Sequence, residues 1–448
     1  MSERYLIVGA GRSGVAAAKM LTELGFDFTI YDGNKDLDVS AVRAQIGTDK
    51  EIPFICGELK EGGLENIDIC VVSPGVPLDT PVMLAVKEKN IPIYSEIELA
   101  YLYDKGRIIA ITGTNGKTTT TSLVYEIVRS HNENTLLVGN IEIPYTGLAL
   151  TSQKGGATVA EISSFQLETM ITFKPAVSAI LNITPDHLDR HKTMENYANI
   201  KKSIAKNQDE NDFCVLNAED PYLCDFGKEL TCKAVYFSSQ RELNDGWYYK
   251  DGTIYEAENG VATPFINVDE TNLVGLHNFE NIMAAAAMTK SFGIPDETIK
   301  AAIRRFNAVE HRIEYVATKN GVKYYNDSKG TNTDAAIKAI DAMPSTTVLI
   351  GGGYDKNADF SQWVSHFPNK VRKLVLIGQT ADKIAKACDD IGFKDYCFAE
   401  TLQEAVKICA ESAKDGDCCL LSPACASWGM FKCYQERGDI FKKLVKAL

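Results

Sequence analysis

The segment RIIAITGTNGKTTT, residues 107–120, constrains the fold of this chain more than any other. A short apolar run leads into a glycine-rich loop, and a helical pattern with one apolar face begins directly after it. A loop in this position wraps phosphates with its backbone N–H groups, while Lys117 adds positive charge and the hydroxyl of Thr118 is placed for Mg²⁺. The context favours a phosphate-binding loop over a helix-capping turn, although Ile111 stands where the general GxxxxGK[ST] pattern has its first glycine.

A second glycine-rich turn, GAGRSG (residues 9–14), follows the apolar run YLIV near the N-terminus. Asp32 ends the next strand-like segment and completes a dinucleotide-binding fingerprint, in which the acid holds a ribose hydroxyl. By itself the pattern would indicate an NAD enzyme. The same turn can hold the pyrophosphate of any nucleotide-linked ligand, or be only a tight turn, so the pattern leaves the ligand open.

Strand and helix patterns alternate along a chain whose 448 residues exceed what one core usually serves. Four strand-like runs within residues 5–95 predict a first α/β unit, and the phosphate-binding loop opens a second. Short β segments between about residues 232 and 275, with a hairpin signal at Asp251-Gly252, predict an antiparallel insertion. Three apolar runs predict the buried parallel strands of a third unit, at residues 348–353, 373–378 and 418–424.

The charge balance argues against nucleic acid and membrane surfaces as partners, since 47 Lys plus Arg face 60 Asp plus Glu. No apolar run approaches the roughly 18 residues of a membrane helix. Glycines and Arg12 interrupt the N-terminal apolar stretch where a signal peptide would be continuous. The 12 cysteines form no paired CxxC units with zinc-ligand spacing and are expected to be reduced thiols. We therefore expect a soluble, cytoplasmic protein.

Two further motifs follow apolar runs in the second unit. In EISSFQLE, Glu161 is expected at the carboxyl end of a strand, where α/β sheets place ligands. NITPDHLDRH brings His187 into a loop. A carboxylate and an imidazole beside a phosphate-binding loop would suit a Mg²⁺ shell, although His187 alone could be an ordinary loop histidine.

Amide and basic residues mark other candidate contacts. Asn278 and Asn281 lie three residues apart on one side of a predicted helix, where they could bind a base or cap the helix. In the third unit NDSKGTN (326–332), Lys356 and SPACAS (422–427) follow strand ends. Their composition suits a dicarboxylate ligand, though each could be only a turn.

The motifs GTNGKTTT, EISSFQLE, NITPDHLDRH, GLHNFEN, HRIEY, YNDSKGTN, GGGYDKNADF and LLSPACASW…F…Y…RGDIF together resemble the Mur ligase family in order and spacing. The resemblance spans all three units and implies an ATP-dependent amide ligase of peptidoglycan precursor synthesis that forms an acyl phosphate. NDSKGTN and SPACAS resemble the members that add D-glutamate to UDP-N-acetylmuramoyl-L-alanine. Folylpolyglutamate synthase is similar but lacks the N-terminal nucleotide-sugar domain. A nucleotide-binding regulatory protein that kept the fold is the non-enzymatic alternative.

The resemblance implies an α/β fold of three domains. A Rossmann-like domain over residues 1–95 would bind the UDP-sugar, which replaces NAD as the ligand of the N-terminal fingerprint. A central P-loop ATPase domain with a small antiparallel β insertion would cover residues 96–308. A C-terminal Rossmann-like domain, residues 309–448, would bind D-glutamate and close over ATP. A monomer is expected.

The resemblance also implies roles for individual residues. Thr118 and Glu161 would bind one Mg²⁺, while His187 and a carbamylated Lys201 organise a second. Lys201 is preferred to Lys202 because Tyr197 precedes it by four residues and Ile204 follows by three, as in the family's Y…K..I pattern. The implied catalytic residues are Lys117, Asn140, Glu161, His187 and Lys201.

Three sets of binding residues follow from the same resemblance. ATP would contact Gly113, Thr114, Asn115, Gly116, Lys117, Thr118, Thr119, Asn278, Asn281, Arg312 and Asp327. The UDP-sugar would contact Ser13, Asp32, Gly33, Asn34, Ser73, Pro74 and Gly75. D-glutamate would contact Lys329, Thr331, Lys356, Ser427 and Tyr434. The sequence departs from the family pattern at Gly33, Asn34, Glu142, Gly429 and Tyr434, which affects the details of the uracil and D-glutamate contacts.

Overall fold

The computed structural model describes residues 3–448 except 49, 61, 142, 308, 356 and 357. The chain divides into two compact bodies, Met1–Asn267 with Glu280–Ile303, and Val268–Phe279 with Arg304–Leu448. The first body holds two β-sheets and the second body holds a third. Within the described residues, no helix is both long and apolar enough to cross a membrane.

The first sheet is parallel throughout, with strand order β3-β2-β1-β4-β5. This is the doubly wound arrangement, which gathers the loops after β1, β2 and β4 at one edge. Its strands are β1 (Arg4–Val8), β2 (Asp27–Asp32), β3 (Phe54–Cys56), β4 (Ile69–Val72) and β5 (Ile93–Ser95). Its helices are α1 (Arg12–Leu24), α2 (Val39–Ile46), α3 (Pro81–Glu88) and α4 (Glu96–Tyr101).

The second sheet has nine strands in the order β14-β13-β12-β11-β10-β9-β6-β8-β7. From β7 to β12 neighbouring strands are parallel. The parallel strands are β6 (Arg107–Thr112), β7 (Thr135–Gly139), β8 (Ala157–Glu161), β9 (Val177–Ile180), β10 (Phe213–Asn217), β11 (Lys233–Ser238) and β12 (Gly246–Lys250). The helices of this region are α5 (Lys117–His131), α6 (Ser164–Leu167), α7 (Leu188–His191), α8 (Met194–Lys202), α9 (Leu276–Phe292) and α10 (Asp296–Arg305).

The predicted antiparallel segment is present, and it is the edge of this same sheet. Strands β13 (Thr253–Glu258) and β14 (Val261–Asn267) pair antiparallel with β12 and with each other. The hairpin turns at Asp251 and Gly252, whose φ angles of 48° and 78° match the two left-handed positions of a type I′ turn. The stretch predicted as an insertion also contains β11, which is parallel to β10 and belongs to the α/β core of the sheet.

The third sheet has the order β15-β16-β20-β17-β18-β19, and only the β15–β16 pair is antiparallel. Its strands are β15 (Glu314–Lys319), β16 (Val322–Asn326), β17 (Thr347–Gly351), β18 (Val371–Leu376), β19 (Tyr396–Phe398) and β20 (Cys418–Leu421). Its helices are α11 (Thr333–Ala342), α12 (Ser361–Val364), α13 (Ala381–Asp390), α14 (Leu402–Ser412) and α15 (Tyr434–Ala447). The three predicted buried strands of this unit are confirmed as β17, β18 and β20.

One continuous apolar core joins the first two sheets within the first body. Helix α4 lies in it, with Ile97 and Leu99 fully buried. Two carboxylates of the same helix, Glu96 and Glu98, are only 1% exposed. Glu98 accepts hydrogen bonds from the backbone N–H groups of residues 171–173, so its charge serves to fix the loop before β9.

Candidate functional site

The phosphate-binding loop, residues 113–119, leads from β6 into the first turn of α5. Gly113 and Gly116 have φ angles of 151° and 84°, which side chains rarely adopt, and a Cβ on Gly116 would lie 2.4 Å from Oδ1 of Asn281. The loop is held from the next strand, since the N–H groups of Thr114 and Asn115 donate to Asn182 at 2.9 and 2.8 Å. The predicted loop thus presents a helix N-terminus, which is a favourable site for phosphate.

Two lysines meet at one carbonyl of this loop. Lys117 Nζ donates to the carbonyl oxygens of Gly113 and Thr114, each at 2.9 Å, and Lys201 Nζ donates to the Gly113 oxygen at 2.8 Å. Lys201 is only 1% exposed, and burial, followed by the charge of Lys117, holds its pKa well below the usual range. Lys202 lies elsewhere, with its Nζ 4.7 Å from the ring centroid of Phe226. The structure therefore brings Lys201, and not Lys202, to the phosphate-binding loop.

Glu161 ends β8 with a carboxylate that is only partly hydrogen-bonded. One oxygen accepts from the side-chain amide of Asn140 at 2.8 Å, and the Asn140 N–H donates to the Glu161 carbonyl at the same distance. The other oxygen, Oε2, is buried and has no hydrogen-bond partner among the described residues. A bare carboxylate oxygen is costly to bury alone and fits a hard cation.

His187 lies at the start of α7, with φ at 52° and 47% of its side chain exposed. Its Nε2 is 3.5 Å from Oδ2 of Asp186, and its ring centroid is 4.8 Å from that of Phe165. The neighbouring His191 is buried and its Nε2 is 2.9 Å from the Ser164 hydroxyl oxygen. Burial lowers the pKa of His191, which favours the neutral imidazole.

Arg190, in the same helical turn, is a site residue that the sequence did not reveal. Its guanidinium pairs with the Glu168 carboxylate at 2.5 Å and lies 4.3 Å from the Phe165 ring centroid. The same group donates to the carbonyl oxygens of Pro74 and Val76 at 2.8 and 3.2 Å. One side chain therefore ties the loop after β4 to the NITPDHLDRH loop. The sequence signal for Arg190 is its place in the NITPDHLDRH motif, three residues after His187.

A cavity of about 540 Å³ opens beside this arginine, within the first body. Its lining consists of apolar side chains, acidic and basic side chains, and part of the loop after β4. The lining residues are Gly75, Pro77, Leu78, Asp79, Leu84, Lys87, Phe165, Glu168, Arg190 and Lys192. Gly75, one of the residues predicted for the UDP-sugar, therefore lines this cavity.

The residues predicted for the UDP-sugar lie at the carboxyl edge of the first sheet. Ser13 is in the first turn of α1, Asp32 ends β2, and Ser73 follows β4. The Asp32 carboxylate accepts from the N–H groups of Ala10 and Asn34 at 2.8 and 2.9 Å, and the Ser73 hydroxyl donates to the Gly9 carbonyl at 3.1 Å. The Asp32 carboxylate therefore helps to hold the glycine-rich turn of residues 9–14 in its conformation.

The two predicted asparagines of α9 have different partners. Asn281 belongs to the first body and its Oδ1 accepts from the Thr120 hydroxyl at 3.1 Å, close to the phosphate-binding loop. Asn278 belongs to the second body, where its side-chain amide donates to the Val274 carbonyl at 2.7 Å. Both are 6% exposed. Asn281 therefore lies beside the phosphate-binding loop.

In the second body, Asp327 follows β16 and is fully enclosed. Its carboxylate accepts from the Ser422 hydroxyl at 2.6 Å, and burial raises its pKa to about 7 although the nearby charge of Arg312 opposes the rise. Arg312 has a buried Nε with no hydrogen-bond partner among the described residues. A buried donor of this kind fits a polar ligand group.

The residues predicted for D-glutamate occupy two loops and a helix start. The loop after β16 carries Lys329 and Thr331, the loop after β20 carries Ser427, and Tyr434 begins α15. The loops are neighbours because β16 and β20 are paired, and Lys329 Nζ lies 5.9 Å from the Tyr434 ring centroid. Lys356 lies outside the described residues.

Comparisons with known proteins agree along the whole chain. Family models described as "Mur ligase MurD-like, N-terminal domain", "Mur ligase middle domain" and "Mur ligase, glutamate ligase domain" match residues 3–95, 111–289 and 311–425. The UDP-N-acetylmuramoylalanine--D-glutamate ligase of Lachnospira eligens is 54% identical, over 100% of this chain and 99% of that protein. The protein of the same name from Lachnoclostridium phytofermentans is 47% identical, again over 100% of this chain and 99% of its own.

A solved structure supports the fold. The UDP-N-acetylmuramate-alanine ligase of Thermotoga maritima superposes with a TM-score of 0.61 at 18% sequence identity, and the match covers 100% of both chains. The predicted α/β architecture is thereby confirmed, as is the predicted family. This chain belongs to the Mur ligase family and is a ligase with that family's three domains.

Proposed function

We propose that this ligase joins D-glutamate to UDP-N-acetylmuramoyl-L-alanine, with ATP converted to ADP and phosphate, in the synthesis of peptidoglycan precursors. The observation that carries the proposal is the site at the phosphate-binding loop: Lys117 and Lys201 both donate to the Gly113 carbonyl, and Glu161, paired in register with Ile111 of β6, has a bare carboxylate oxygen. The choice of substrates is supported by relatives of that name that match the full length of the chain.

The proposed reaction has two steps. The terminal carboxylate of the UDP-sugar attacks the γ-phosphorus of ATP, the bond to the β–γ bridging oxygen breaks, and ADP leaves with the electron pair. The neutral amine of D-glutamate then attacks the carbonyl carbon of the acyl phosphate, the carbon–oxygen bond to phosphate breaks, and the nitrogen loses a proton. Negative charge is concentrated on phosphoryl oxygens in both steps, so fixed donors and cations lower the barriers.

The chain's own residues supply those donors. The N–H groups at the start of α5, which begins at Lys117, face the phosphates, and Lys117 exchanges its two loop carbonyls for phosphate oxygens when ATP binds. Asn140 holds the Glu161 carboxylate in one orientation through their 2.8 Å hydrogen bond. Arg190 ties the loop after β4, assigned to the UDP-sugar, to the NITPDHLDRH loop, whose Asn182 binds the phosphate-binding loop.

Glu161 and Thr118 fit a magnesium ion, because Glu161 has a buried oxygen without a partner and Thr118 offers a hydroxyl in the first turn of α5. When bound, magnesium would offset charge on the phosphoryl oxygens. We assign His187 and Lys201 to a second ion. The half-exposed position of His187 supports this assignment, since its ring remains accessible to a ligand.

We extend the proposal to carbamylation of Lys201. A depressed pKa makes the neutral amine accessible, and its lone pair can attack the carbon of dissolved CO₂. A nitrogen–carbon bond forms, one proton passes to solvent, and the amine becomes a carbamate with two oxygens. Carbamate oxygens suit a hard cation where an ammonium group would repel it.

We assign the UDP-sugar to residues 1–95, ATP to residues 96–308 and D-glutamate to residues 309–448. We further propose that the enzyme is a monomer. All 12 cysteines are free, which supports a reducing compartment such as the cytoplasm.

The test is a panel of acceptors assayed by ADP release and by the mass of the product. UDP-N-acetylmuramoyl-L-alanine and ATP are supplied with D-glutamate or L-glutamate, and in a further assay folate replaces the UDP-sugar and is supplied with L-glutamate. We expect turnover only with the UDP-sugar and D-glutamate. Turnover with L-glutamate, or with folate in place of the UDP-sugar, would overturn the proposed substrate assignment.

A further inference from the structure

Arg437 is a completely buried cation in helix α15, with 0% of its surface exposed. Its Nε donates to the Ser328 hydroxyl at 2.9 Å and its Nη2 donates to the Ser328 carbonyl at 2.8 Å. Its Nη1 donates to the Cys425 carbonyl at 3.2 Å. One guanidinium therefore joins the loop after β16 to the loop after β20.

The same cluster includes the start of α15. The Ser328 hydroxyl, which accepts from Arg437, itself donates to the Tyr434 carbonyl at 2.8 Å. Tyr434 is the first residue of the helix and lies one turn before Arg437. All three segments that carry the described residues proposed for D-glutamate thus converge on Arg437 and Ser328.

The chemistry of this position requires an arginine. Burial lowers the pKa of Arg437 to about 10, so the group remains charged at neutral pH. A planar guanidinium directs several donors to separate acceptors at once, which an ammonium group on a flexible stem does not reproduce. The acceptors are two carbonyls and one hydroxyl in strand-end loops. The charged guanidinium therefore serves to fix those loops.

Gly438, the residue after Arg437, allows α15 to pack closely against His311 and Asn326. A Cβ on Gly438 would lie 2.2 Å from Nδ1 of His311 and 3.0 Å from Nδ2 of Asn326. Asn326 is the last residue of β16, and its side-chain amide lies 3.0 Å from the same His311 nitrogen. A glycine is needed here because the helix backbone packs directly against this pair.

We propose that Arg437 is a positioning residue for the amino-acid substrate, which holds two loops and the start of α15 at the spacing that D-glutamate requires. The inference rests on the proposed function and deepens it. Arg437 itself contacts no substrate; it acts through Lys329, Thr331, Ser427 and Tyr434. Its loss therefore weakens D-glutamate binding most, affects ATP binding less through Asp327, and leaves the phosphate-binding loop in the first body as it is.

The test compares Arg437→Lys, Arg437→Ala and Ser328→Ala with Lys443→Ala, an exposed position on the same helix. We expect Arg437→Ala to raise the KM for D-glutamate at least about tenfold and the KM for ATP less, because Asp327 directly precedes Ser328, while the KM for the UDP-sugar stays within about twofold of the wild type. Arg437→Lys and Ser328→Ala should give intermediate increases, and Lys443→Ala none. Guanidinium chloride at low millimolar concentration should partly restore D-glutamate binding to Arg437→Ala only.

Equal increases in all three KM values would overturn the proposal, as would an unchanged KM for D-glutamate in every variant. If Arg437→Ala does not fold, Ser328→Ala decides the matter because it removes only the shared hydroxyl. If the wild type uses a different amino acid, the D-glutamate assignment fails, and the same comparison made with that amino acid still tests Arg437.

Discussion

The side-chain amide of Asn140 donates to one carboxylate oxygen of Glu161 at 2.8 Å, while the other oxygen of that carboxylate is buried without a hydrogen-bond partner among the described residues. A neutral amide orients a carboxylate but does not neutralise it. The hydrogen bond from Asn140 therefore fixes one oxygen of Glu161, while the second oxygen keeps its negative charge density for an interaction with a cation.

Glu161→Gln tests this arrangement. The amide retains the size of the side chain but removes its charge, so we expect kcat/KM to fall at least about 100-fold and the Mg²⁺ concentration for half-maximal activity to rise. A magnesium titration of activity measures both, with Glu126→Gln, exposed on α5, as the control. An unchanged magnesium curve would remove Glu161 from the metal site.

Lys117→Ala should abolish turnover and leave the fold intact. The ammonium group donates to carbonyls of its own loop and is expected to act on phosphate charge, so its removal should leave the apolar core unaffected. Steady-state kinetics and thermal unfolding of the same preparation check the two statements separately. A near-normal kcat would contradict the role given to the phosphate-binding loop.

Lys201→Ala should be nearly inactive if the buried amine carries a carbamate. Short carboxylic acids are expected to restore part of the activity, since they supply the missing oxygen ligand. Lys202→Ala is the matched control, because Lys202 packs on Phe226 away from the loop. Mass spectrometry or electron density that shows an unmodified Lys201 facing solvent in a Mg²⁺–ATP complex would count against carbamylation.

The buried carboxyl group of Glu96 is expected to make the free energy of unfolding depend on pH. Burial raises its pKa to about 7, and Thr146 donates to only one of its oxygens through its N–H and hydroxyl groups. Its contribution to stability is fully present below about pH 4, where the folded and unfolded states are both protonated. The contribution falls as the pH rises toward 7 and is then lost, a change on the order of 3 kcal/mol.

Glu96→Gln should therefore flatten the decline in unfolding free energy between pH 5 and pH 8. Urea unfolding at a series of pH values measures the slope, and Glu88→Gln, exposed on α3, serves as the control. The same slope in Glu96→Gln and the wild type would assign the pH dependence to other groups.

Lys356→Ala tests the charge expected to pair with the side-chain carboxylate of D-glutamate. Deleting one partner of an enclosed ion pair costs several kcal/mol, so the KM for D-glutamate should rise far more than that for ATP or the UDP-sugar. Asn281→Ala, beside the phosphate-binding loop, should weaken ATP binding instead. Varying each substrate in turn separates the two, and an equal rise of all three KM values for Lys356→Ala would indicate a role in folding or closure.

Local patterns predicted the elements of this fold well. Strand runs ending in glycine-rich loops located β1, β6 and β17, and the pair Asp251-Gly252 located the hairpin. These patterns did not predict the order of the strands in each sheet, because periodicity identifies a strand but gives no information on which strands pair with it. For that reason the antiparallel insertion was predicted, but its attachment to the edge of the central sheet at β12 was not.

Candidate site residues could be named from the sequence where they belong to a short motif that follows a predicted strand. Lys117 and Lys201 both contact the Gly113 carbonyl of the phosphate-binding loop, and Glu161 pairs in register with Ile111 of the strand before that loop. Arg190 was missed because its acceptors are more than 100 residues away in sequence, at Pro74 and Val76. A local sequence pattern does not distinguish an arginine with distant backbone acceptors from a solvated one.

The contacts of Arg190 with Pro74 and Val76 go to backbone oxygens, which every amino acid provides. Mutations in this loop can therefore change its side chains without removing the acceptors. Evolution is free to vary the chemistry of the loop while the attachment persists. An inhibitor that hydrogen-bonds to these main-chain atoms would, for the same reason, be difficult to escape by point mutation within the loop.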